Sequence, residues 1–351
     1  MTGLERRPLG RTDITVPSLC LGTMMYGDQI DEEGAFHQMD RCFEWGIDFF
    51  DTAEMYTIPP KKETHGDSER IVGRWLKERG LRDRIFLATK VAGRSTNTWI
   101  RPGQKPRVSP DQIRQALDGS LHRLQTDYID LYQIHWPDRR INLFGEDILG
   151  FNTYDNSDTI PIEEQLSTLG ALVNEGKIRH LGLSNETPWG VMQFLKAAEK
   201  LNLPKIVTVQ NAYNLTNRVP EYGLAEIAVE EGVGLLPYSP IGQGTLSGKY
   251  LGGQKPAGSR GQMFGRLERY EPPHAAQSIQ AYVDLSAELG VPPAALAMQF
   301  VTSRPWVTSN IFGASNDDQL DIIFASVDIE WTQEIMDKVN AIHANCLNPC
   351  P

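Results

Sequence analysis

The sequence predicts an α/β fold, a (β/α)8 TIM barrel with an N-terminal β-hairpin and an extra C-terminal helix. Short apolar runs alternate with longer amphipathic segments, and this unit occurs eight times in order. Such alternation implies a parallel sheet that helices cover on both faces. The 351 residues contain no sequence repeat, low-complexity tract or linker-like stretch, so we expect 1–351 to form one domain. Eight units in a chain of this length favour a closed barrel over an open sheet.

The elements follow one another regularly along the chain. We predict eight strands from the apolar runs at 19–23, 47–52, 85–91, 129–135, 178–185, 206–211, 233–239 and 308–315. We predict helices from the amphipathic segments near 34–46, 67–79, 110–124, 162–175, 187–201, 221–231, 276–289, 293–303 and 316–325. A turn at Gly10 between two short extended pieces predicts the N-terminal hairpin, and 330–343 predicts the final helix.

Three connections are long, at about 57–66, 136–161 and 240–274. Each of them follows a strand. In a barrel, the segments that follow the strands form the rim where catalysis takes place. We therefore expect these three segments to surround the functional site.

Composition excludes several classes of function. The net charge of -11 argues against sequence-independent nucleic-acid binding, which needs a basic face. No run approaches the ~20 apolar residues that a membrane-spanning helix needs. The start "MTGLERRPLG" has no apolar signal-peptide region, so we expect a cytoplasmic protein with no nucleic-acid or membrane partner.

The four cysteines fit a reducing compartment. Cys20 and Cys42 lie in apolar contexts and are predicted to be buried thiols. Cys346 and Cys350 form a C-x3-C in "CLNPC", with no second Cys or His pair at metal-ligand spacing. We predict no metal site and a loose tail here, and the role of the pair stays open.

Every predicted strand ends in residues that can hydrogen-bond or titrate. These ends are Gly22–Thr23, Asp51, Lys90, His135, Ser184–Asn185, Gln210–Asn211, Tyr238–Ser239 and Gly313–Ser315. In a barrel the strand ends converge on one mouth, so an acid, a lysine and a histidine from consecutive strands are expected to meet there.

Tyr56, just beyond the second strand, suggests what this cluster does. A nearby ammonium favours the phenolate form, so Lys90 would make the Tyr56 phenol a usable acid. Asp51 would hold Lys90, and His135 would donate to a polarised oxygen. This set suits the protonation of a developing alkoxide, as in carbonyl reduction with a hydride from a cofactor. Taken singly, the residues also fit a structural Lys–Asp pair, a structural histidine and a packing tyrosine.

At these residues the sequence resembles the aldo-keto reductase superfamily. "FFDTAEMY", "LATKV" and "LYQIHWPD" are similar to the family's catalytic segments. "IRHLGLSN", "TVQNAYN", "PYSPIGQGTLSGKY" and "IFGASNDDQL" are similar to its later strand ends, in the same order. The resemblance runs from about Leu9 to His343. Within the superfamily the chain is most similar to the Tas-like bacterial branch, which is related to the potassium-channel β subunits.

The resemblance implies a carbonyl reductase that binds NADPH/NADP+ across the barrel mouth. It implies Tyr56 as general acid, Asp51 and Lys90 as the pair that tunes it, and His135 as the donor to the substrate carbonyl. The implied cofactor contacts are Gly22, Thr23, Met24, Asp51, Ser184, Asn185, Gln210, Tyr238, Ser239, Pro240, Ile241, Gln243, Lys249, Arg260, Gly313, Ser315 and Gln319.

The expected substrate is a small carbonyl compound. Its pocket is expected to include Tyr26, Tyr56, His135 and Trp136, with Trp99, Phe151 and Tyr154 as further aromatic candidates. The resemblance implies a monomer or a loose homo-oligomer.

The adenosine end departs from the family pattern. Many relatives carry an arginine where Gln319 stands and a lysine where Gly313 stands. Ile322 and Ile323 replace residues that often face the adenine. Asp317 and Asp318 further argue against a strongly phosphate-selective site, so NADP over NAD is expected with a weak adenine contact.

Three alternative interpretations compete with this one. "GQGTLSG" is one residue away from a dinucleotide fingerprint, but it follows the seventh strand, which argues against a Rossmann domain. A barrel metal hydrolase needs several histidines or carboxylates at strand ends, and only Asp51 and His135 qualify. An NADP(H)-binding redox-sensing or regulatory subunit with slow turnover remains as the second hypothesis, although His135, which the channel subunits replace, favours turnover.

Overall fold

A computed structural model describes residues 4–144, 152–265 and 267–351 and confirms the predicted fold. Within these residues the hairpin consists of two antiparallel strands, β1 (Arg6–Pro8) and β2 (Thr15–Pro17). The parallel sheet consists of β3 (Leu19–Gly22), β4 (Phe49–Asp51), β5 (Phe86–Val91), β6 (Ile129–Ile134), β7 (Ile178–Ser184), β8 (Ile206–Gln210), β9 (Gly234–Leu235) and β10 (Asn310–Phe312).

Helices cover the outside of the sheet. They are α1 (Glu32–Glu44), α2 (Asp67–Arg79), α3 (Pro110–Leu124), α4 (Ile162–Asn174), α5 (Pro188–Leu201), α6 (Leu224–Glu230), α7 (Arg260–Phe264), α8 (Ala275–Glu288), α9 (Pro293–Thr302), α10 (Asp317–Ser326) and α11 (Gln333–Asn345). Side-chain caps begin several of them, as where Asp31 accepts from the Gly34 amide of α1. No helix in the described ranges is both long and apolar enough to cross a membrane.

The sheet curls until its two edge strands meet. The strand order is β10-β3-β4-β5-β6-β7-β8-β9, so β9 and β10 are the edges. The Ile311 amide donates to the Pro237 carbonyl at 2.8 Å, and the Thr308 amide donates to the Leu235 carbonyl at 2.8 Å. These bonds close the barrel.

The hairpin seals one end of the barrel. Leu9 and Val16 are fully buried and join one apolar cluster with residues of the barrel strands, among them Cys20 and Phe49. Gly10 has φ +59, and a Cβ there would lie 2.6 Å from the Val207 carbonyl oxygen. The turn therefore needs glycine for conformation and for space, and the opposite end of the barrel is left for the site.

Three elements differ from the sequence prediction. β9 has only two residues, and the helix predicted near 221–231 begins with a 3-10 turn at Val219–Tyr222 before α6. The long connection at 240–274 contains a helix that the sequence did not predict, α7.

The C-terminal tail is docked, so the expectation of a loose tail was wrong. The Cys350 amide donates to the Thr216 carbonyl at 3.0 Å, and the Arg218 amide donates to Asn348 Oδ1 at 2.6 Å. All four cysteines are free thiols. Cys20 and Cys42 are buried, as predicted, and so is Cys350, whereas Cys346 is half-buried.

Candidate active site

A buried ion pair forms the base of the barrel mouth. Asp51 ends β4, and Lys90 lies on the neighbouring strand β5. The Lys90 Nζ donates to Asp51 Oδ1 at 2.5 Å, with Lys90 0% and Asp51 2% exposed. Lys90 Nζ also lies 3.4 Å from the Tyr56 hydroxyl. Because strand ends converge at a barrel mouth, residues distant in sequence form one connected group.

Two glutamines complete the setting of the Asp51 carboxylate. Gln133 Nε2 and Gln210 Nε2 each donate to Asp51 Oδ2 at 3.0 Å. Gln210 was expected near the cofactor, and the structure shows that it also holds the Asp51 carboxylate in place. Gln133 was missed, although a polar amide inside the apolar run "LYQI" was the signal that could have found it.

His135 stands beside Tyr56 on the next wall of the mouth. The two rings meet edge to face with centroids 5.5 Å apart. Burial, together with the Lys90 charge, lowers the pKa of His135 well below its usual value of 6.5, so the imidazole is neutral at neutral pH. Its Nδ1 is buried and has no hydrogen-bond partner among the described residues.

At both Tyr56 and Lys90, burial and the neighbouring charges shift the pKa in opposite directions. Burial raises the pKa of Tyr56 above its usual value, and the Lys90 ammonium offsets only part of this rise. Burial acts in the opposite direction on Lys90, but Asp51 and Tyr56 prevail and raise its pKa. The expected lowering of the tyrosine pKa is therefore outweighed by desolvation. Tyr56 is a protonated phenol at neutral pH, as a proton donor must be.

A cavity of about 1850 Å³ opens above this group. Asp51, Tyr56, His135 and Trp136 line it, while Lys90 lies behind them. The predicted cofactor residues that also line it are Gly22, Met24, Ser184, Asn185, Gln210, Tyr238, Ser239, Pro240, Ile241, Gln243, Lys249, Arg260, Gly313, Ser315 and Gln319. The cavity exceeds the ~300–1,000 Å³ of an ordinary ligand pocket, and it has room for a dinucleotide together with a substrate.

Two predicted contacts do not line the cavity. Tyr26 is fully buried, and its hydroxyl donates to Gln38 Oε1 at 3.2 Å, away from the mouth. Thr23 is also buried, and its hydroxyl bonds to the Asp51 carbonyl and to Ser68 Oγ. Both residues follow β3, where the chain turns into the core, and Met25 takes the place on the cavity wall.

The aromatic candidates of the long segments have different positions. Tyr154 lines the cavity, and its hydroxyl donates to Asn142 Oδ1 at 2.6 Å. Trp99 does not line it and packs edge to face on His65, with centroids 5.4 Å apart. Phe151 lies outside the described residues.

The residues of the other wall have the chemistry that a nicotinamide dinucleotide needs. Asn185 is oriented by three bonds. Its Nδ2 donates to the His135 carbonyl at 2.8 Å and to Ser184 Oγ at 3.1 Å, and the Tyr238 hydroxyl donates to its Oδ1 at 2.7 Å. Positive φ angles at Ser239 and Gln243 fold the segment after β9 into tight turns. Lys249 and Arg260 add cations to the cavity wall. Amides, an aromatic face and cations suit a carboxamide, a ring and a pyrophosphate.

At the far end of the cavity an acid is already neutralised. Asp317, at the start of α10, pairs with His37 at 2.9 Å and with Arg41 at 2.9 Å. Gln319 accepts from the Ser315 amide through its Oε1 at 3.0 Å. Asp317 therefore opposes a bound phosphate less than its charge alone suggests. In the described part of the chain no group of three or more His, Cys, Asp or Glu side chains is placed to hold a metal ion.

A family model described as "Aldo/keto reductase family" matches residues 18–344. The chain belongs to this family. It is 44% identical over 350 residues to protein tas of Escherichia coli, which covers 99% of this chain and all of the relative.

Other relatives extend the same match. An uncharacterized oxidoreductase of Bacillus subtilis, YrpG, is 34% identical over 97% of this chain and 96% of its own length. A probable voltage-gated potassium channel subunit beta of Oryza sativa is 28% identical, again over 97% and 96%. The resemblance inferred from the motifs is confirmed, and as an aldo/keto reductase the chain is an oxidoreductase.

Proposed function

We propose that this aldo/keto reductase uses NADPH to reduce the carbonyl group of an aldehyde or ketone to an alcohol, with Tyr56 as general acid. The observation that carries the proposal is the pairing of Tyr56 and His135 at the cavity floor, with the Lys90 ammonium 3.4 Å behind the Tyr56 hydroxyl. A protonated phenol and a neutral imidazole are two donors that can meet one carbonyl oxygen.

Each residue of the group has one task in this reaction. NADPH, when bound, supplies the hydride. Tyr56 gives its proton to the alkoxide oxygen that develops on the substrate, and Lys90 stabilises the phenolate that remains. Asp51 keeps Lys90 charged and in place, and His135 orients the substrate carbonyl through one ring N–H. Trp136 and the neighbouring apolar side chains exclude water from the donors.

The opposite wall is proposed to hold the cofactor. Ser184, Asn185 and Gln210 would bind the carboxamide, and Tyr238 would stack on the ring. Lys249 and Arg260 would bind the pyrophosphate. The 2′-phosphate would meet Gly313, Ser315 and Gln319. Because Gln319 has no charge, we propose a preference for NADP over NAD that is weaker than an arginine at this position would give.

A second function has one observation in its favour. The similarity to a probable potassium channel subunit beta fits an NADP(H)-binding regulatory or redox-sensing subunit with slow turnover. His135 in the cavity, beside Tyr56, favours turnover as the main function. The proposal further includes a single domain over 1–351, a cytoplasmic location, a small-molecule carbonyl substrate and a monomeric or loosely oligomeric state.

Tyr56→Phe tests the proposal. We expect NADPH to bind the variant as it binds the wild type, measured by fluorescence titration, because the aromatic ring is kept. We expect NADPH oxidation with a panel of aldehydes to fall by roughly 10²–10⁴-fold, the usual contribution of a general acid. Parallel titrations with NADH measure the cofactor preference.

Tyr26→Phe is the matched control, because it removes a hydroxyl that the core holds on Gln38 and leaves the cavity unchanged. Its turnover should equal that of the wild type. Equal turnover in Tyr56→Phe would refute the role of Tyr56, and a wild type that does not bind NADPH would refute the proposed function.

A further inference from the structure

A second buried carboxylate lies between Asp51 and Tyr56 on the same loop. Glu54 is 1% exposed and accepts three hydrogen bonds. Arg101 Nη1 and Nη2 donate to its two oxygens at 2.6 Å each, and the Ala92 amide donates to Oε1 at 2.7 Å. The mechanism above does not use Glu54, although it is as deeply buried as Asp51.

Glu54 ties the loop that carries Tyr56 to the strand that carries Lys90. Its own amide donates to the Lys90 carbonyl at 3.3 Å, and its carboxylate accepts from Ala92, two residues further along. These two bonds, one to Lys90 and one from Ala92, lie on either side of Val91. Together they fix both the distance and the orientation of the loop against β5. Tyr56 follows after a tight turn in which its amide donates to the Ala53 carbonyl at 3.1 Å. The separation of the Tyr56 hydroxyl and Lys90 Nζ therefore depends on how these bonds hold the loop against β5.

Arg101 connects the same carboxylate to the wall of the cavity. It lies in the segment 93–107, which lines the cavity through Arg94, Lys105 and Arg107 among others. Arg101 is 4% exposed, and the neighbouring Ile100 packs in one apolar cluster with Tyr56 and Trp136. One carboxylate therefore holds the proton donor on one side and the wall beside the donor on the other.

The buried Glu54–Arg101 pair is better suited to fixing the orientation of its neighbours than to adding stability. A buried ion pair contributes little net stability compared with apolar residues of the same volume. A bidentate arginine–carboxylate contact, however, fixes orientation as well as distance. An apolar pair at these positions would fill the space without fixing the Ala92 amide or the turn at Tyr56.

We propose that Glu54 and Arg101 are positioning residues for the reaction. Glu54 fixes the position of the Tyr56 hydroxyl relative to Lys90, and Arg101 holds the segment 93–107 against the same loop. This inference rests on the proposed function, because the position of Tyr56 matters only if Tyr56 donates the proton.

The test compares Glu54→Gln and Arg101→Met with Asp130→Asn. Asp130 is the matched control, because its carboxylate also accepts from an amide of β5, Leu87 at 3.0 Å, and from an arginine, Arg82 at 2.8 Å. Asp130 lies on β6 and contacts β5 near Leu87, at the end of the strand opposite Lys90 and Ala92. All three variants remove or weaken a buried contact of the same kind, and thermal unfolding measures the stability lost by each.

We expect kcat to fall by about 10–100-fold in Arg101→Met, since a misplacement of about 1 Å can cost about 10²-fold. Glu54→Gln should lose less, because its amide oxygen can still accept from Ala92. NADPH dissociation constants should stay within about twofold, and Asp130→Asn should keep the wild-type kcat even where its Tm falls. Arg101→Lys, which keeps the charge but not the bidentate contact, gives an intermediate value and serves if Arg101→Met does not fold.

Two further measurements separate positioning from a structural role. In the Tyr56→Phe background, Glu54→Gln should cause no additional loss of kcat, because there is no proton donor left to position. Hydrogen exchange in the protein without cofactor should become faster at Ala92 and across 93–107 in Arg101→Met, and not in Asp130→Asn.

The inference is overturned if Arg101→Met and Glu54→Gln keep the wild-type kcat, or if the losses from Tyr56→Phe and Glu54→Gln simply multiply. A wild type without Tyr56-dependent turnover overturns the proposed function instead. In that case, unchanged hydrogen exchange at 92–107 in Arg101→Met would still count against the proposal that Glu54 and Arg101 hold these residues in place.

Discussion

Asp51→Asn is expected to destabilise the barrel in a manner that depends on pH. The substitution keeps the shape of the side chain and removes its charge. Lys90 then remains in a fully buried site, 0% exposed, without its counter-ion. A buried lysine without a partner gives up its proton, and such lysines have pKa values as low as about 5–6.

The loss of stability can be worked out from the cost of removing that proton from Lys90. At pH 7.5, holding a lysine neutral costs about 1.4 kcal/mol for each unit below its usual pKa of about 10.4, which gives about 4 kcal/mol. Removal of one partner from a buried pair typically costs about 3–5 kcal/mol. The two estimates agree, so we expect the free energy of unfolding to fall by about 4 kcal/mol.

The pH dependence has a definite sign. In the wild type, interactions with Asp51 and Tyr56 raise the pKa of Lys90, so the lysine is charged in both the folded and the unfolded state near neutrality. In the variant it is neutral when folded and charged when unfolded, so unfolding takes up one proton. The stability of the variant should therefore rise by about 1.4 kcal/mol per pH unit relative to the wild type.

Urea unfolding at pH 6.5, 7.5 and 8.5 measures this difference. Asp48→Asn is the control, because Asp48 pairs with Arg6 at the surface, at 2.8 Å with side chains 28% and 43% exposed. Such a pair should contribute no more than about 1 kcal/mol and no pH slope in this range. Parallel stability curves for Asp51→Asn and the wild type would refute the reasoning, because Lys90 would then keep its charge without Asp51.

Two other predictions follow from the site. The rate of carbonyl reduction should be flat between pH 7 and pH 9 and fall above about pH 10, since His135 is already neutral and Tyr56, whose pKa is raised, keeps its proton until then; a pH–rate profile with a loss near pH 7 would contradict this. Gly93→Ala should lower the stability by at least about 1–3 kcal/mol and disturb Trp136, because a Cβ at Gly93 would lie 1.9 Å from the Trp136 carbonyl oxygen. Gly119→Ala in α3, where the nearest atom is the movable end of Arg123 at 3.0 Å, is its control in thermal unfolding, and equal Tm values for the two variants would show that the contact at Gly93 can relax.

The order of elements was predictable from local patterns in the sequence, and the cluster at the strand ends was predictable from the topology of a barrel. Apolar runs and amphipathic periods gave α2 and α3 with the same bounds as the structure has. Strand ends converge in any barrel, so an acid at the end of β4 and a lysine near the end of β5 had to be neighbours. That constraint is topological and needs no knowledge of the loops.

Side-chain directions in the loops were not predictable in the same way. Tyr26 follows β3 in an irregular turn, and no period determines whether its ring points to the cavity or to the core. Glu54 and Arg101 are separated by the connection 57–66, by α2 and β5, and by part of the segment 93–107, so no spacing rule pairs them. The balance between burial and the Lys90 charge at Tyr56 also required the structure, because desolvation depends on the surrounding atoms.

The four thiols have a practical consequence for measurements on this chain. Burial raises the pKa of Cys20, inside the barrel, well above its usual value. It raises the pKa of Cys42, on the buried face of α1, to about 12 and that of Cys350, in the tail, to about 11. Thiolates react with alkylating reagents and buried thiols do not. Alkylation followed by peptide mapping therefore distinguishes detachment of the tail from opening of the barrel itself, with half-buried Cys346 as the internal standard.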